Sequence, residues 1–141
     1  MATDDPYDLQ RFVTAQDPML DRVREELRRG RKSSHWMWFV FPQVAGLGSS
    51  PTAQHYAISG LDEARAYLAH PVLGPRLVEC ARLAVAVEGR SAREVFGYPD
   101  DLKLRSSMTL FARAAPDEPA FAGVLDRFFD SEPDPRTLER L

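Results

Sequence analysis

The stretch that decides the fold is DDLKLRSSMTLFARAAPDEPAFAGVLDRFF, residues 100–129. The apolar residues of its first half recur every three or four positions, and these are Leu104, Met108, Phe111 and Ala115. Those of its second half do the same, and these are Phe121, Val124, Leu125, Phe128 and Phe129. Such spacing places apolar side chains on one face of an α-helix. The stretch therefore predicts two consecutive helices that face the core.

Two similar apolar stripes lie earlier in the chain. The first contains Leu20, Val23 and Leu27, and Gly30 follows where a left-handed helix end is expected, which predicts a helix over 18–29. The second contains Leu73, Leu77, Ala84 and Val87 and ends before Gly89. No clean two-residue alternation and no Asn-Gly turn points to a β-hairpin. These patterns predict an all-α fold.

Helix starts are marked by a capping residue followed by proline, because proline suits the first helical position and the preceding side chain accepts a free amide. The pairs are Asp5-Pro6, Asp17-Pro18, Ser50-Pro51 and Asp134-Pro135. Capping boxes are predicted at Ser59 with Asp62 and at Ser91 with Glu94. We therefore expect a single compact domain over 5–141 with seven to nine mostly short helices, after a short polar tail at 1–4.

Composition excludes several classes of protein. The chain has 141 residues, 44% hydrophobic and 28% charged, which is typical of one globular domain. The single cysteine, Cys80, cannot form an internal disulfide, so we expect a reducing compartment and a cytoplasmic protein. A net charge of -3 disfavours nucleic acid as a partner. The longest apolar run, 36–41, is too short to span a membrane.

That apolar run, WMWFVF, fits a buried strand or a buried helix. Because nothing else in the chain would pair with a strand, we predict a buried helix that opens near Ser33 or Ser34. Trp36 and Trp38 would then point about 200° apart, so only one of them can line a pocket while the other packs in the core. We assign Trp36 to ligand binding, as a flat face for a planar group.

The segment from Gln43 to Ser50 carries the clearest candidate binding loop. Gly46 and Gly48 allow the backbone to approach a ligand closely, and the free amides at the start of the following helix favour an anion such as phosphate. The hydroxyls of Ser49 and Ser50 add donors, and Gln43 adds an amide. The same residues also fit a purely structural interpretation, in which the glycines shape turns and Ser50 only caps a helix.

A second candidate patch lies in the helix predicted from residue 100. Lys103 and Ser107 are four residues apart and share a face, so both are assigned to ligand binding. The catalytic residues are unknown; the candidates are His35 and Asp101, either of which could activate water. His35, His55 and His70 lack metal-ligand spacing, so neither a metal nor a cofactor is predicted.

Five segments resemble a bacterial and fungal family catalogued as domain of unknown function 1810. They are HWMWFVFPQ at 35–43, GLGSS at 46–50, HPVLGPRL at 70–77, DDLKLRSSMTLF at 100–111, and FFD with DPRTL within 128–138. The resemblance spans nearly the whole chain and implies a single, mainly α-helical domain, with no settled activity. A fainter likeness, in layout alone, is to the helical NADAR family, which is associated with NAD and ADP-ribose metabolism.

Two functions remain open from the sequence. The first is a binding site for a phosphate-bearing nucleotide or an ADP-ribose-like small molecule, formed by the 46–50 loop with His35, an indole and Lys103, in which any chemistry would be hydrolytic. The alternative is a helical protein-protein interaction module without catalytic activity, whose partner would bind a contiguous exposed apolar patch. The sequence does not establish that the protein is an enzyme.

Overall fold

The structure is a computed structural model that describes residues 5–141, so the predicted tail at 1–4 lies outside the described residues. Ten helices form within this range. They are α1 (Gln10–Gln16), α2 (Leu20–Arg29), α3 (Met37–Val40), α4 (Pro51–His55), α5 (Leu61–Ala69), α6 (Leu73–Val85), α7 (Ala92–Phe96), α8 (Asp100–Ala114), α9 (Pro119–Phe128) and α10 (Pro135–Leu138). The all-α single domain is confirmed, with one helix more than the expected seven to nine, because several single-turn segments count as helices.

The two helices predicted from residues 100–129 form the centre of the domain. They are α8 and α9, which pack against each other, while α6 packs on α9 and α5 packs on both α6 and α8. The predicted apolar face of α8 is fully buried at Leu104, Met108 and Phe111, and Phe121 of α9 contacts Phe111 at 5.9 Å between ring centres. None of the helices in 5–141 is long and apolar enough to cross a membrane.

Three of the six predicted helix caps form as expected. Ser50 accepts the amide of Ala53 at 3.1 Å at the start of α4, and Asp134 accepts the amide of Thr137 at the start of α10. Ser91 forms both hydrogen bonds of a capping box with Glu94 at the start of α7. These short helices are therefore fixed by local hydrogen bonds at their first turns.

The other three predicted caps are wrong, because these residues make different hydrogen bonds or ion pairs. Asp5 accepts the amides of Leu9 and Gln10, so its segment is a turn before α1 and not a helix start. Asp17 ends α1, and its carboxylate pairs with Arg76 at 2.8 Å. The Ser59 amide donates to Glu63, and α5 has Gly60 at its N-cap.

Removal of the Ser91 hydroxyl tests the capping box directly. We expect Ser91→Ala to lower the free energy of unfolding by about 1 kcal/mol, the usual cost of losing a serine N-cap. The matched control is Ser59→Ala, since the exposed Ser59 hydroxyl caps no helix. Urea unfolding of the control should agree with the parent within about 0.5 kcal/mol. Equal losses in both variants would contradict the assignment.

A buried carboxylate organises the segment before α3. Glu26 of α2 is 2% exposed and accepts hydrogen bonds from the amides of Ser33 and Ser34, from the Ser34 hydroxyl and, at 2.9 Å, from the indole of Trp36. These donors explain why α3 begins at Met37 and not near Ser33 or Ser34 as predicted: the amides there are bound to Glu26. The buried, single-turn α3 confirms the helical interpretation of the apolar run.

The hydrogen bonds to Glu26 also set its ionisation. Burial alone would raise the pKa of the carboxyl, but the hydrogen bonds from Ser34, Ser33 and Trp36 outweigh this effect and lower the pKa from 4.5 to about 2. Glu26 is therefore an ionised carboxylate at neutral pH, inside the protein, with its charge stabilised by four donated hydrogen bonds.

The single cysteine lies in the core on α6. Cys80 is 1% exposed, and burial raises the pKa of its thiol to about 12. The thiol therefore stays protonated at physiological pH and behaves as a small apolar side chain.

Candidate functional site

A short parallel pairing holds the two segments that flank the glycine loop. The amide of Ala45 donates to the carbonyl of Ile58, and the amide of Ile58 donates to the carbonyl of Gln43, each at 2.8 Å. Residues 46–57, including α4, therefore form a loop whose two ends are tied together. This loop forms one wall of the candidate site.

An arginine from α1 fixes the second of these segments. Arg11 donates to the carbonyls of His55 and Ala57 at 2.8 and 2.9 Å, and it pairs with the buried carboxylate of Glu63 at 3.0 Å. A charged donor that holds two carbonyls of one loop restricts the conformations available to that loop. The wall is thus rigidly attached to α1 and α5.

Two adjoining cavities lie between this loop, α3 and the first half of α8. The indole cavity has a volume of about 140 Å³, and its walls include Met37, Trp38, Phe41, Gln43, Gly46, Gly48, Tyr56 and Lys103. The arginine cavity has a volume of about 270 Å³, and its walls include Gln43, Gly48, Leu102, Lys103, Arg105, Ser106, Asp134 and Arg136. Small-molecule sites usually measure roughly 300–1,000 Å³, a range that the two reach only together.

Lys103 stands in the wall that the two cavities share. Its ammonium lies 5.0 Å from the centre of the Trp38 ring and 3.6 Å from one oxygen of Asp100. The other oxygen of Asp100 is 2.9 Å from the ammonium of Lys32, whose side chain is nearly buried. Because the Asp100 carboxylate interacts with two ammonium groups, it neutralises the charge of Lys103 only in part.

The arginine cavity has an excess of positive charge. Its lining contains three cations, Lys103, Arg105 and Arg136, against a single carboxylate, Asp134. Burial alone would raise the pKa of Asp134, but hydrogen bonds from Thr137 and Ser106 lower it, so this carboxylate is ionised. Such a lining favours an anion.

The arginines of this cavity differ in how they are held. The guanidinium of Arg105 donates to the carbonyls of Glu132 and Pro133, each at 3.0 Å, and lies 3.7 Å from the exposed Glu132 carboxylate. Arg136, which is exposed on α10, takes part in no ion pair with any described residue. Arg136 is therefore the less constrained of the two guanidinium groups.

The two glycines of the loop permit close approach of side chains. Gly46 has a φ of +96°, and the guanidinium of Arg140 occupies the space that a Cβ would fill. A Cβ at Gly48 would lie 2.6 Å from the Cβ of Ala53 in α4. Both glycines thus have a structural reason to be there, and both also line the indole cavity.

The structure brings four of the residues assigned from the sequence to this place. They are Gln43, Gly46, Gly48 and Lys103. Ser49 and Ser50 are exposed and line neither cavity; Ser50 caps α4, and the carbonyl of Ser49 accepts the Gln54 side chain. The loop therefore contributes its glycines and Gln43 to the cavities, while its hydroxyls lie elsewhere.

The indole that lines the cavity is Trp38, not the assigned Trp36. Trp36 is fully buried, and its indole nitrogen donates to Glu26. The assigned Ser107 is also fully buried and lines neither cavity, and its hydroxyl has no hydrogen-bond partner among residues 5–141. Only one of the two indoles lines a cavity, as the helical spacing predicts, but it is Trp38 and not Trp36.

Neither candidate catalytic residue lines the cavities. His35 is exposed, ahead of α3, and Asp101 lies in the first turn of α8 with one carboxylate oxygen buried and without a hydrogen-bond partner. Within the described part of the chain, no group of three or more His, Cys, Asp or Glu side chains is placed to bind a metal ion. Of the carboxylates in residues 5–141, Asp134 lines the arginine cavity, whereas the assigned Asp101 does not.

Among the cavity residues that sequence reasoning missed are one tyrosine and two arginines. Tyr56 follows α4, and Arg105 and Arg136 lie 31 residues apart on α8 and α10. Arg105 lies two residues after Lys103 in the same helix, so a second cation near the predicted patch was a signal available in the sequence. Nothing in the sequence placed Arg136 beside it, since their proximity depends on how the segment after α9 returns to α8.

Comparisons with known proteins agree with the fold. A crystal structure of the conserved hypothetical protein Rv1873 from Mycobacterium tuberculosis is 58% identical in sequence, with a TM-score of 0.96 over 97% of this chain and 98% of that one. No curated protein matches the sequence. The family model described as "Protein of unknown function (DUF1810)" matches residues 6–141, so the chain belongs to this family.

Proposed function

We propose that the protein binds a phosphate-bearing nucleotide or an ADP-ribose-like small molecule in the two adjoining cavities. The observation that carries this proposal is the position of Lys103, in the wall that both cavities share, beside the ring of Trp38. The ammonium covers one face of the indole in a cation-π contact. Together the two groups offer a positive charge and an aromatic surface to a ligand that combines negative charge with a planar group.

The remaining walls support the same class of ligand. Gln43 lines both cavities, and its side-chain amide has no hydrogen-bond partner among the described residues, so it is available to a polar ligand. Concave sites of this kind typically combine apolar walls with a few polar groups that orient the ligand. The proposal covers binding and does not include hydrolysis, because His35 and Asp101 line neither cavity.

The alternative, a helical protein-protein interaction module, has less support than the binding site. It predicts a contiguous exposed apolar patch. Over residues 5–141, the exposed large hydrophobic side chains are Tyr98 and Leu102, two residues near the start of α8. Leu102 also lines the arginine cavity, so its exposure fits the mouth of a small-molecule site.

Calorimetric titration tests the proposal. Adenosine monophosphate, ADP-ribose and NAD are titrated to millimolar concentration, and at least one is expected to bind. Lys103→Gln should then weaken binding about tenfold, because a hydrogen bond to a charged group is worth roughly 1.5–3 kcal/mol. Arg113→Gln, at an exposed position of the same helix, is the matched control and should bind like the parent. Absence of heat with all three ligands would overturn the proposal.

A further inference from the structure

The two cavities offer different chemistry to a ligand. Aromatic side chains, Trp38, Phe41 and Tyr56, contribute to the indole cavity, where Lys103 is the one charged residue of the lining. The arginine cavity contains the guanidinium groups of Arg105 and Arg136. We propose that one ligand occupies both, with its planar ring in the indole cavity and its phosphate in the arginine cavity, held by Arg136 and Arg105. This inference rests on the proposed function.

Charge places the phosphate in the arginine cavity. Three cations against one carboxylate give its lining a net charge of +2, although the whole chain has a net charge of -3. A phosphate monoester carries about -1.5 to -2 at neutral pH, which this excess neutralises in part, since Lys103 also lies near Asp100 and Arg105 near Glu132. One oxygen of Asp134 accepts hydrogen bonds from Ser106 at 2.9 Å and Thr137 at 2.6 Å, and the carboxylate forms no ion pair with either arginine among the described residues.

The two guanidinium groups have different parts in this binding. Arg105 is held in place by the carbonyls of Glu132 and Pro133, so it offers a preformed positive charge. Arg136 has no ion-pair partner among the described residues, which leaves its planar fork available for two parallel hydrogen bonds to phosphate oxygens. Arg136 is therefore the residue that recognises the phosphate.

The alternative phosphate position, at the glycine loop, is less suitable. The helix that follows this loop, α4, has only five residues. The amide of Ala53 in its first turn already donates a hydrogen bond to the Ser50 hydroxyl. The guanidinium of Arg140 already covers Gly46. The loop thus shapes the indole cavity, and the anion is bound on the other side of Lys103.

The spacing of the cavities requires both ends of the ligand to be present for full affinity. Lys103, Gln43 and Gly48 belong to both linings, so the two cavities are neighbours along these three residues. A free nucleoside should fill only the indole cavity, and inorganic phosphate only the arginine cavity. A nucleoside monophosphate gains both sets of contacts in one binding event.

Calorimetry with adenosine, adenosine monophosphate and inorganic phosphate tests this division. Arg136→Gln should weaken adenosine monophosphate about tenfold and leave adenosine unchanged. Trp38→Leu should weaken both adenosine and adenosine monophosphate and leave inorganic phosphate unchanged. Arg113→Gln is again the matched control and should change none of the three affinities. Circular dichroism should show the parent's helix content in every variant.

The outcomes show whether this inference fails alone or together with the proposed function. If adenosine monophosphate binds and Arg136→Gln binds it as tightly as the parent, the phosphate assignment is wrong while the binding function stands. If inorganic phosphate displaces adenosine, the two ends share one cavity and the division is wrong. If none of adenosine monophosphate, ADP-ribose and NAD binds at millimolar concentration, the proposed function fails, and this inference with it.

Discussion

Replacement of Glu26 by glutamine is expected to lower the free energy of unfolding at neutral pH by about 3 kcal/mol. The lowering of the Glu26 pKa from 4.5 to about 2 measures how much better the folded state holds the charged form. At roughly 1.4 kcal/mol per pKa unit, this difference is worth about 3 kcal/mol. Glutamine keeps the size of the side chain but replaces one carboxylate oxygen by an NH₂ group. That group is a donor and cannot accept the hydrogen bonds that Ser33, Ser34 and Trp36 donate.

The effect of this change should depend on pH. Because the folded-state pKa is the lower one, the contribution of Glu26 to stability is complete above about pH 4.5 and is lost as the pH falls through about 2. The parent and Glu26→Gln should therefore converge on acidification, with less than half of the difference left near pH 3. Urea unfolding at several pH values measures this convergence.

The neighbouring glutamate provides the control for this experiment. Glu25 is exposed on the same helix and, within residues 5–141, pairs only with Arg29, four residues later, at 3.1 Å. Surface pairs of this kind contribute about 0.3–0.5 kcal/mol, so Glu25→Gln should cost no more than that. A loss at Glu26 no larger than the loss at Glu25 would contradict the anchoring role of the buried carboxylate.

Gly74→Ala is expected to cost about 2–3 kcal/mol, since overpacking at a close contact typically costs 1–3 kcal/mol. Gly74 is buried in the first turn of α6, and a Cβ there would overlap the backbone carbonyl oxygen of Leu68 in α5. A backbone oxygen cannot rotate away as a side chain can. The added methyl group must therefore push α5 and α6 apart along their contact.

A second helical glycine separates this steric effect from helix propensity. A Cβ at Gly123 of α9 would approach the Val85 side chain at 3.7 Å, an ordinary van der Waals distance. Gly123→Ala should therefore gain up to about 1 kcal/mol from the better helix propensity of alanine. Urea unfolding should shift the two variants in opposite directions, and a gain at Gly74 would show that α5 and α6 are not in close contact.

The fold could be predicted from the sequence wherever the signal is local. Ser91 with Glu94, Ser50 with Pro51 and the apolar stripe of α8 each need only neighbours within a few residues, and each forms as expected. One predicted cap failed because a distant group binds the capping residue. Arg76, far along the chain, binds the Asp17 carboxylate, and no pattern near residue 17 announces this partner.

The candidate site could be predicted only in part, for the same reason. Helical spacing shows that Trp36 and Trp38 face opposite ways, but the choice between them depends on Glu26, which belongs to another helix. Lys103 was identifiable as a lysine on a helix face. Lys103 and Arg136 line the same cavity because of the path that the chain takes after α9, and no short motif encodes this path.

The reactivity of the buried thiol of α6 can report local or global opening of the protein. With its pKa raised to about 12 and its sulfur enclosed by the core, Cys80 can react with an alkylating reagent only when the protein around it opens. The rate of alkylation under native conditions therefore measures how often the protein opens around Cys80, and no introduced label is needed. It also means that a cysteine introduced at an exposed position, such as Arg113, can carry a fluorophore without background from the native thiol.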